Sequence, residues 1–599
     1  MPKIAVSPFD RARYLGTVTA VSPLDVRLNL PFGTEIASAR YAGHAIDRGQ
    51  VGEFVVIEGQ TSAVLGRMVE IRLPDRDRLS VEPEREDRGD AANPIGVVRL
   101  LGSVDLVSGH SSRGIPSAPR VGEFVYLAHP EFLRHAIDSA IDRMGSSVRI
   151  GHLTGSQDSE IVMSAMAVFG RHCAILGSTG GGKSWTTAHL VEEIARLGGK
   201  VLLIDPTGEY HSLEGATHLH LGGRREGEDD TRRFVSFPHR HLNETDLFAL
   251  LQPSQGVQAP KLRDAVLSLK LLHLHPELGK DGCLHKAMQR KKPINQKLLE
   301  RDAELRKAGA PYDIGQLALQ IYFECVSPSG GDVLHWGGMH EFSASSCTSL
   351  CMRVESAVKS DHLKPLFAPE DYMSDVTEEI DAFLGGEISI LRVSMQYLPF
   401  EQSARELVVN ALGRHLLAKA RDGQFKLRPM VVVLDEAHQF LSKTIGDEFN
   451  RVSLDAFGLI AKEGRKYGLT TVMATQRPRD IPEDVLSQVG LMIVHRLINE
   501  RDQGVIVNAS GAIDASMAAF LPTLREGEAL IIGSGALMPL PVQVTPPKRR
   551  PDLSDGVGGT WIRLEAPPRP KAAAPSRAAA AKAESPAVRR RGRPPRPAA

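Results

Sequence analysis

His172-Cys173-Ala174-Ile175-Leu176-Gly177-Ser178-Thr179-Gly180-Gly181-Gly182-Lys183-Ser184 carries the spacing G-x-x-x-x-G-K-[ST] directly after a strand-forming run and before a helical pattern. That order decides the fold class. Its four glycines let the backbone curl until successive N–H groups face one centre, and the following helix adds its positive end there. The candidate nucleotide-binding residues are Gly177, Thr179, Gly180, Gly181, Gly182, Lys183, Ser184 and Trp185. In such a loop the lysine bridges the β- and γ-phosphates of ATP and the hydroxyl ligates Mg2+, roles that fall to Lys183 and Ser184. A chance match in a glycine-rich loop is the bland alternative, and the strand–loop–helix setting argues against it.

Working outward, Val431-Val432-Val433-Leu434-Asp435-Glu436 delivers two acids at the end of an apolar strand, where open α/β sheets place their ligands. Asp435 suits the Mg2+ shell through water, and Glu436 can polarise a water for attack on the γ-phosphate. Ala474-Thr475-Gln476-Arg477-Pro478 closes another strand, and a neutral Gln476 can report whether the γ-phosphate is present. Just before it, Arg465 could reach phosphate from its own subunit or a neighbour's, while Lys462 and Lys466 read equally as a solvated helix face. In Ile204-Asp205-Pro206-Thr207-Gly208-Glu209-Tyr210, Glu209 could support Mg2+ or water, or both acids could cap the turn.

Around these motifs, apolar strands alternate with amphipathic helices from about 150 to 545, the pattern of an α/β domain with a largely parallel sheet. The expected strands are 172–176, 200–204, 388–393, 430–434, 471–474, 492–494 and 529–532. Between about 240 and 375 helical segments replace them, which divides the core into 150–240 and 375–545 around an inserted helical bundle. Residues 1–140 read as short β segments of a small barrel. Within it Val51-Gly52-Glu53-Phe54-Val55 returns as Val121-Gly122-Glu123-Phe124-Val125, an internal pseudo-repeat, and the charged stretch from Pro74 to Asp90 reads as a loop between the halves.

The chain has 599 residues, with 72 Lys+Arg against 72 Asp+Glu. That zero balance is a cancellation. From Ala566 onward nine basic residues face one acid, Glu584, a net of +8 that leaves −8 on residues 1–565. The Ala-, Pro- and Arg-rich composition of 550–599 reads as a disordered basic tail. Its Arg-Gly-Arg-Pro string at 591–594 resembles an AT-hook core that enters the minor groove. The N-terminus lacks a signal-peptide core and no window is apolar enough to span a membrane, so the expectation is a cytoplasmic protein without a membrane partner. Five scattered cysteines argue against a disulfide framework, and Cys347 and Cys351, four apart, make a metal pair conceivable but unsupported by a second pair.

Taken in order, Arg171 to Gly177 leading into the phosphate loop, Asp205 to Tyr210, Leu434-Asp435-Glu436-Ala437-His438, Glu463 to Gly468 and Thr475 to Pro478 resemble the HerA branch of the HerA/FtsK ATPases. The resemblance implies an N-terminal β-barrel of HAS type, a RecA-like core with a helical insertion, and a homo-hexameric ring with ATP at its interfaces. It also implies Mg2+ as cofactor and double-stranded DNA through the pore. By carry-over Lys183 and Glu436 are indispensable, Gln476 senses the γ-phosphate, and Arg171 or Arg465 acts as a finger. Pore candidates are Lys443 to Arg451, Lys462 and Lys466. Family members work with the nuclease NurA in DNA end resection, or with an effector such as a sirtuin-like NADase or a nuclease in anti-phage defence; the basic tail departs from the archaeal pattern.

Two functions of different class follow. One is an ATP-hydrolysing motor that translocates on or unwinds duplex DNA. The alternative is a nucleotide-gated hexameric scaffold that assembles and activates an effector with little translocation. A conjugative coupling ATPase would need N-terminal membrane helices, which this sequence lacks.

Overall fold

The computed structural model describes residues 6–551 apart from 32–38, 42–43, 47–48, 74–92, 141–144, 155–158, 225–231, 399–402, 442 and 534. The expected loop 74–90 and the basic tail beyond 551, with its Arg-Gly-Arg-Pro string, lie outside the described residues.

Near the N-terminus, six strands close on themselves in the order Asp25–Asn29, Tyr14–Val21, Phe124–Leu127, Phe54–Glu58, Ser62–Arg72 and Ile95–Asp105, and the last pairs back with the first from Asp25↔Arg99 to Asn29↔Ile95. Alternation explains the closure. Val26 and Leu28, Val55 and Ile57, and Val64 and Met68 fill the lumen, and only a closed sheet hides both edges. The pseudo-repeat is structural as well as textual. Gly52 and Gly122 both take positive φ (103° and 93°). Gly52 N–H donates to Met68 O and Met68 N–H to Glu53 O; Gly122 N–H donates to Val18 O and Val18 N–H to Glu123 O. The two copies then run side by side as antiparallel neighbours, with Val56 opposite Tyr126.

All seven expected core strands are present in one thirteen-stranded sheet. Its parallel part runs Val489–Val494, His172–Leu176, Leu469–Thr475, Met430–Leu434, Lys200–Asp205, Ile390–Ser394, Ala216–Leu221, Arg233–Ser236 and Ser374–Asp375. Four antiparallel strands, Glu528–Gly533, Leu540–Val544, Ser147–Leu153 and Glu160–Ser164, extend the other side. The central strands are buried at every position, which is why they read as mostly apolar runs. Alternate residues still face different layers: Val201 and Leu203 pack with the phosphate-loop helix Lys183–Arg196, while Leu202 and Ile204 join the cluster that includes the inserted helices. Between Ser236 and Ser374 the described regular elements are helical, the longest being Gln258–Leu274 and Glu341–Lys359.

Some elements differ from the sequence expectation. The helix Pro130–Ala140 follows the barrel and buries Phe132, Leu133, Ala136 and Ile137 in the core cluster. Cys347 is buried with its thiol against that of Cys325, and among the described residues no group of three or more His, Cys, Asp or Glu is arranged to hold a metal.

Candidate nucleotide site

Parallel strands bring their C-terminal ends to one edge, and the motif residues follow those ends. Gly182, at φ 111°, caps the helix Lys183–Arg196. A Cβ on Gly182 would sit 3.1 Å from Gly527 Cα, and one on Gly177 only 2.6 Å from His495 Cβ. The loop must therefore be glycine at both places. Its backbone is fixed from neighbouring strands, with Gly177 N–H donating to Thr475 O and Ser178 N–H to Arg496 O. His495 locks the arrangement: its ring is hydrogen-bonded to Thr186 Oγ1 at 2.8 Å and to Glu528 O at 2.9 Å. Burial pushes its pKa down to about 4, so it stays neutral there.

Around this cradle four side-chain encounters converge. Lys183 Nζ lies 3.7 Å from Glu436 Oε1. Ser184 Oγ donates to Glu209 Oε2 at 2.8 Å, and Thr179 Oγ1 donates to Gln476 Oε1 at 2.7 Å. The fourth is His438, whose Nδ1 is 3.3 Å from Glu436 Oε2 and 3.0 Å from Thr475 Oγ1. Glu436 adopts φ 46°, in the left-handed region that costs a non-glycine residue roughly 1–2 kcal/mol. The turn thereby aims its carboxylate back across the strand end toward Lys183.

The acids differ in role. Asp205 is fully buried; its carboxylate accepts from Gly208 N–H, Tyr210 N–H and Arg392 Nε, so it caps the turn and does not face the cradle. Glu209, in contrast, meets Ser184. Burial pushes the Asp435 carboxyl up to about 8; Lys183 pulls it down, and Asp205, Glu436 and Glu209 add to the rise. For Glu436 burial also acts upward, but contact with His438 and the charge of Lys183 outweigh it and hold the group below its ordinary value. Its Oε2 is buried and makes no hydrogen bond, with His438 Nδ1 standing 3.3 Å away.

These residues fit a nucleotide with a hard cation. Oxygen donors only, Ser184 Oγ, Asp435 and Glu209, stand around an excess of carboxylate that a single Lys183 does not balance. Mg2+ is ordinarily held by one or two protein oxygens together with phosphates and water, so no all-protein cage is needed.

Arg171 and Arg465 are not brought to this edge. Arg171 precedes the strand His172–Leu176, and Arg465 lies in the turn Gly464–Tyr467 before Leu469–Thr475. Both are exposed at the N-terminal ends of parallel strands, and a five-residue strand spans about 16 Å. Of the pore candidates, Lys443 pairs with Glu406 and Lys462 with Asp484. His438 is the contact the motif reading passed over, although it stands two residues after Glu436.

A glycine cradle at the mouth of a parallel sheet, with a lysine, a hydroxyl and strand-end acids around it, defines a P-loop nucleotide-binding protein with a RecA-like core, here carrying an N-terminal barrel. Comparison with known proteins finds similarity to the HerA helicases. A family model described as the central domain of helicase HerA matches residues 148–310. The DNA double-strand break repair helicase HerA of Sulfolobus acidocaldarius is 26% identical over 440 residues, 71% of this chain and 73% of the relative. That of Pyrococcus furiosus is 23% identical over 476 residues, 78% of this chain and 80% of its own. Among solved structures, VirB4 of Thermoanaerobacter pseudethanolicus aligns over 68% of this chain and 98% of its own at 15% identity and a TM-score of 0.43. The conjugative coupling protein TrwB aligns over 65% and 89% at 15% identity and a TM-score of 0.38. The HerA-type resemblance carried by the motifs is thus matched across most of the chain.

Proposed function

We propose that this protein is an ATP-hydrolysing, homo-hexameric motor that translocates on or unwinds double-stranded DNA in the cytoplasm, working with an effector such as a nuclease in DNA end processing or anti-phage defence. In this reading residues 1–140 form the barrel, 150–240 and 375–545 the motor core, 240–375 the helical insertion, and 550–599 a basic tail. The helicase names of the relatives support the motor, and among the described residues no helix is long and apolar enough to cross a membrane. The observation that carries the proposal is the Lys183–Glu436 contact at 3.7 Å.

That contact sets the two groups against each other. Phosphate oxygens recruit Lys183 away, and Glu436 is then free to accept a proton from the attacking water. Gln476, held by Thr179 on the loop itself, registers the γ-phosphate. Ser184 and Asp435 would hold Mg2+, which when bound offsets phosphate charge. Arg171 and Arg465 lie at the opposite edge of the sheet from their own site, so a finger role for either would be exerted on a neighbouring subunit's nucleotide. The test is ATP turnover of the purified assembly with and without duplex DNA, in wild type and Glu436→Gln. Turnover stimulated by duplex DNA and abolished in the variant, with ATP still bound, is expected; turnover indifferent to DNA refutes the motor.

A further inference from the structure

Beyond the last strand, Leu540–Val544, the chain does not leave the core at once. Thr545 N–H donates to Ile150 O, Lys548 N–H donates to both oxygens of Glu192 at 3.1 and 3.2 Å, and Arg549 Nε meets Glu214 Oε1 at 2.8 Å. Ser212 Oγ donates to Arg550 O at 3.0 Å, and the Arg550 guanidinium lies 4.5 Å from the centroid of the Trp185 ring. Glu192 and Trp185 are seven residues apart on the phosphate-loop helix, two turns and so one face, roughly 10 Å along the axis. Residues 548–550 thus strap that face, running back toward the phosphate loop. On the other side the strap is tied to Ser212 and Glu214, just after the turn that carries Glu209.

Trp185 directly follows Ser184. One residue along a helix rotates the side chain by roughly 100°, so the indole flanks the phosphate position rather than opposing it. A nucleoside joined to phosphates in the loop has to leave along a flank of it, and Trp185 stands on one such flank. An aromatic ring offers a stacking face to any base, and a guanidinium stacked on it fixes its plane. Among the described residues no carboxylate pairs with the Arg550 guanidinium, so its charge is not spent on an ion pair.

We propose that Trp185, positioned by Arg550 of the C-terminal strap, is the nucleoside-binding end of the site. The inference rests on the ATP-site reading above. Trp185 is the contact residue and Arg550 a positioning residue that acts through it. The consequence is that affinity for nucleotide depends on residues beyond the last strand of the core.

The experiment uses the full chain. Binding of ADP, ATP and inorganic pyrophosphate is followed by intrinsic tryptophan fluorescence and by calorimetry, for wild type, Arg550→Ala, Arg550→Lys and the strap-release pair Glu192→Ala/Glu214→Ala. Arg550→Ala and the strap-release pair are expected to raise the ADP Kd and the ATP KM about two- to tenfold, the range of one cation–π contact, with kcat within about twofold. Pyrophosphate, which has no base, should bind as in wild type, and Arg550→Lys should recover much of the loss. Unchanged ADP affinity in both Arg550→Ala and the strap-release pair overturns the proposal, as does an equal loss for pyrophosphate. Lys183→Ala separates the two readings: if it leaves ATP binding intact, the phosphate site itself is misassigned; if it abolishes binding while Arg550→Ala does nothing, only the strap proposal fails.

Discussion

Two ion pairs, each with its acid at or just past the C-terminal end of a strand of the same sheet, are built in opposite ways. Arg392 and Asp205 meet at 2.7 Å with both side chains essentially without solvent, and Asp205 has further donors from Gly208 and Tyr210. Lys183 and Glu436 stand at 3.7 Å, somewhat more exposed, with one Glu436 oxygen unbonded and its backbone in the left-handed region. The first is saturated and has one arrangement. The second is under-satisfied, and each partner has somewhere else to go. A buried pair whose valences are all met holds a loop, whereas a loose pair at a cradle is poised to separate when a ligand competes for it.

The largest expected effect tests the loose pair. Glu436→Gln keeps the shape and removes the base, so ATP turnover should fall by about 10²–10⁴-fold while nucleotide binding persists; turnover that survives would break the contrast. Next comes the saturated pair. Arg392→Ala leaves Asp205 charged and unpaired in the core, and denaturant unfolding should show a loss of roughly 3–5 kcal/mol, or no folded protein. Lys183→Ala should leave the unfolding midpoint nearly unchanged and abolish nucleotide binding. Equal destabilisation by these two variants would mean that both pairs are structural.

A third effect lies at the opposite end of the phosphate-loop strand. Burial lowers the pKa of His172 to about 4, with the charge of Arg465 acting in the same direction. An unfolded imidazole takes up its proton near 6.5, so between pH 6.5 and 4 the unfolded chain binds a proton that the native chain refuses. Stability is therefore complete above pH 6.5 and falls as pH drops through that window, by roughly 3 kcal/mol in all. Unfolding midpoints measured against pH should show this, and His172→Gln should remove about one proton's worth of the slope. The smallest effect concerns His438: its replacement by Ala should lower turnover by about tenfold or less, because it adjusts the Glu436 carboxylate without reaching the phosphates.

Much of this was legible in the sequence because central parallel strands must be apolar on both faces, and their loops carry the motifs at fixed offsets. Strands such as Ala216–Leu221 and Arg233–Ser236 were not, since His218, His220 and Arg233 break the apolar run. Lys200 and Arg392 are charged yet lie in the most buried strands, Lys200 because its ammonium donates to three carbonyls, of Phe383, Gly386 and Ile388. No local pattern announces such long-range satisfaction. The same holds for Arg550 on Trp185, two residues 365 positions apart whose meeting depends on the whole sheet being assembled. The edge on which Arg171 and Arg465 lie follows from strand direction, which residue type alone does not reveal.

One modest element has a consequence for how the protein behaves in a crowded solution. A sheet of thirteen strands invites further strands to add at its rim. On the far side the last member, Ser374–Asp375, is two residues long and turns at once into the helix Val376–Gly385, with Asp375 accepting from Thr377 N–H as the cap. So brief an edge gives a second chain almost no ladder to pair with, and lengthening it by replacing Asp375 with a β-branched residue should raise the tendency to aggregate before it alters ATP turnover.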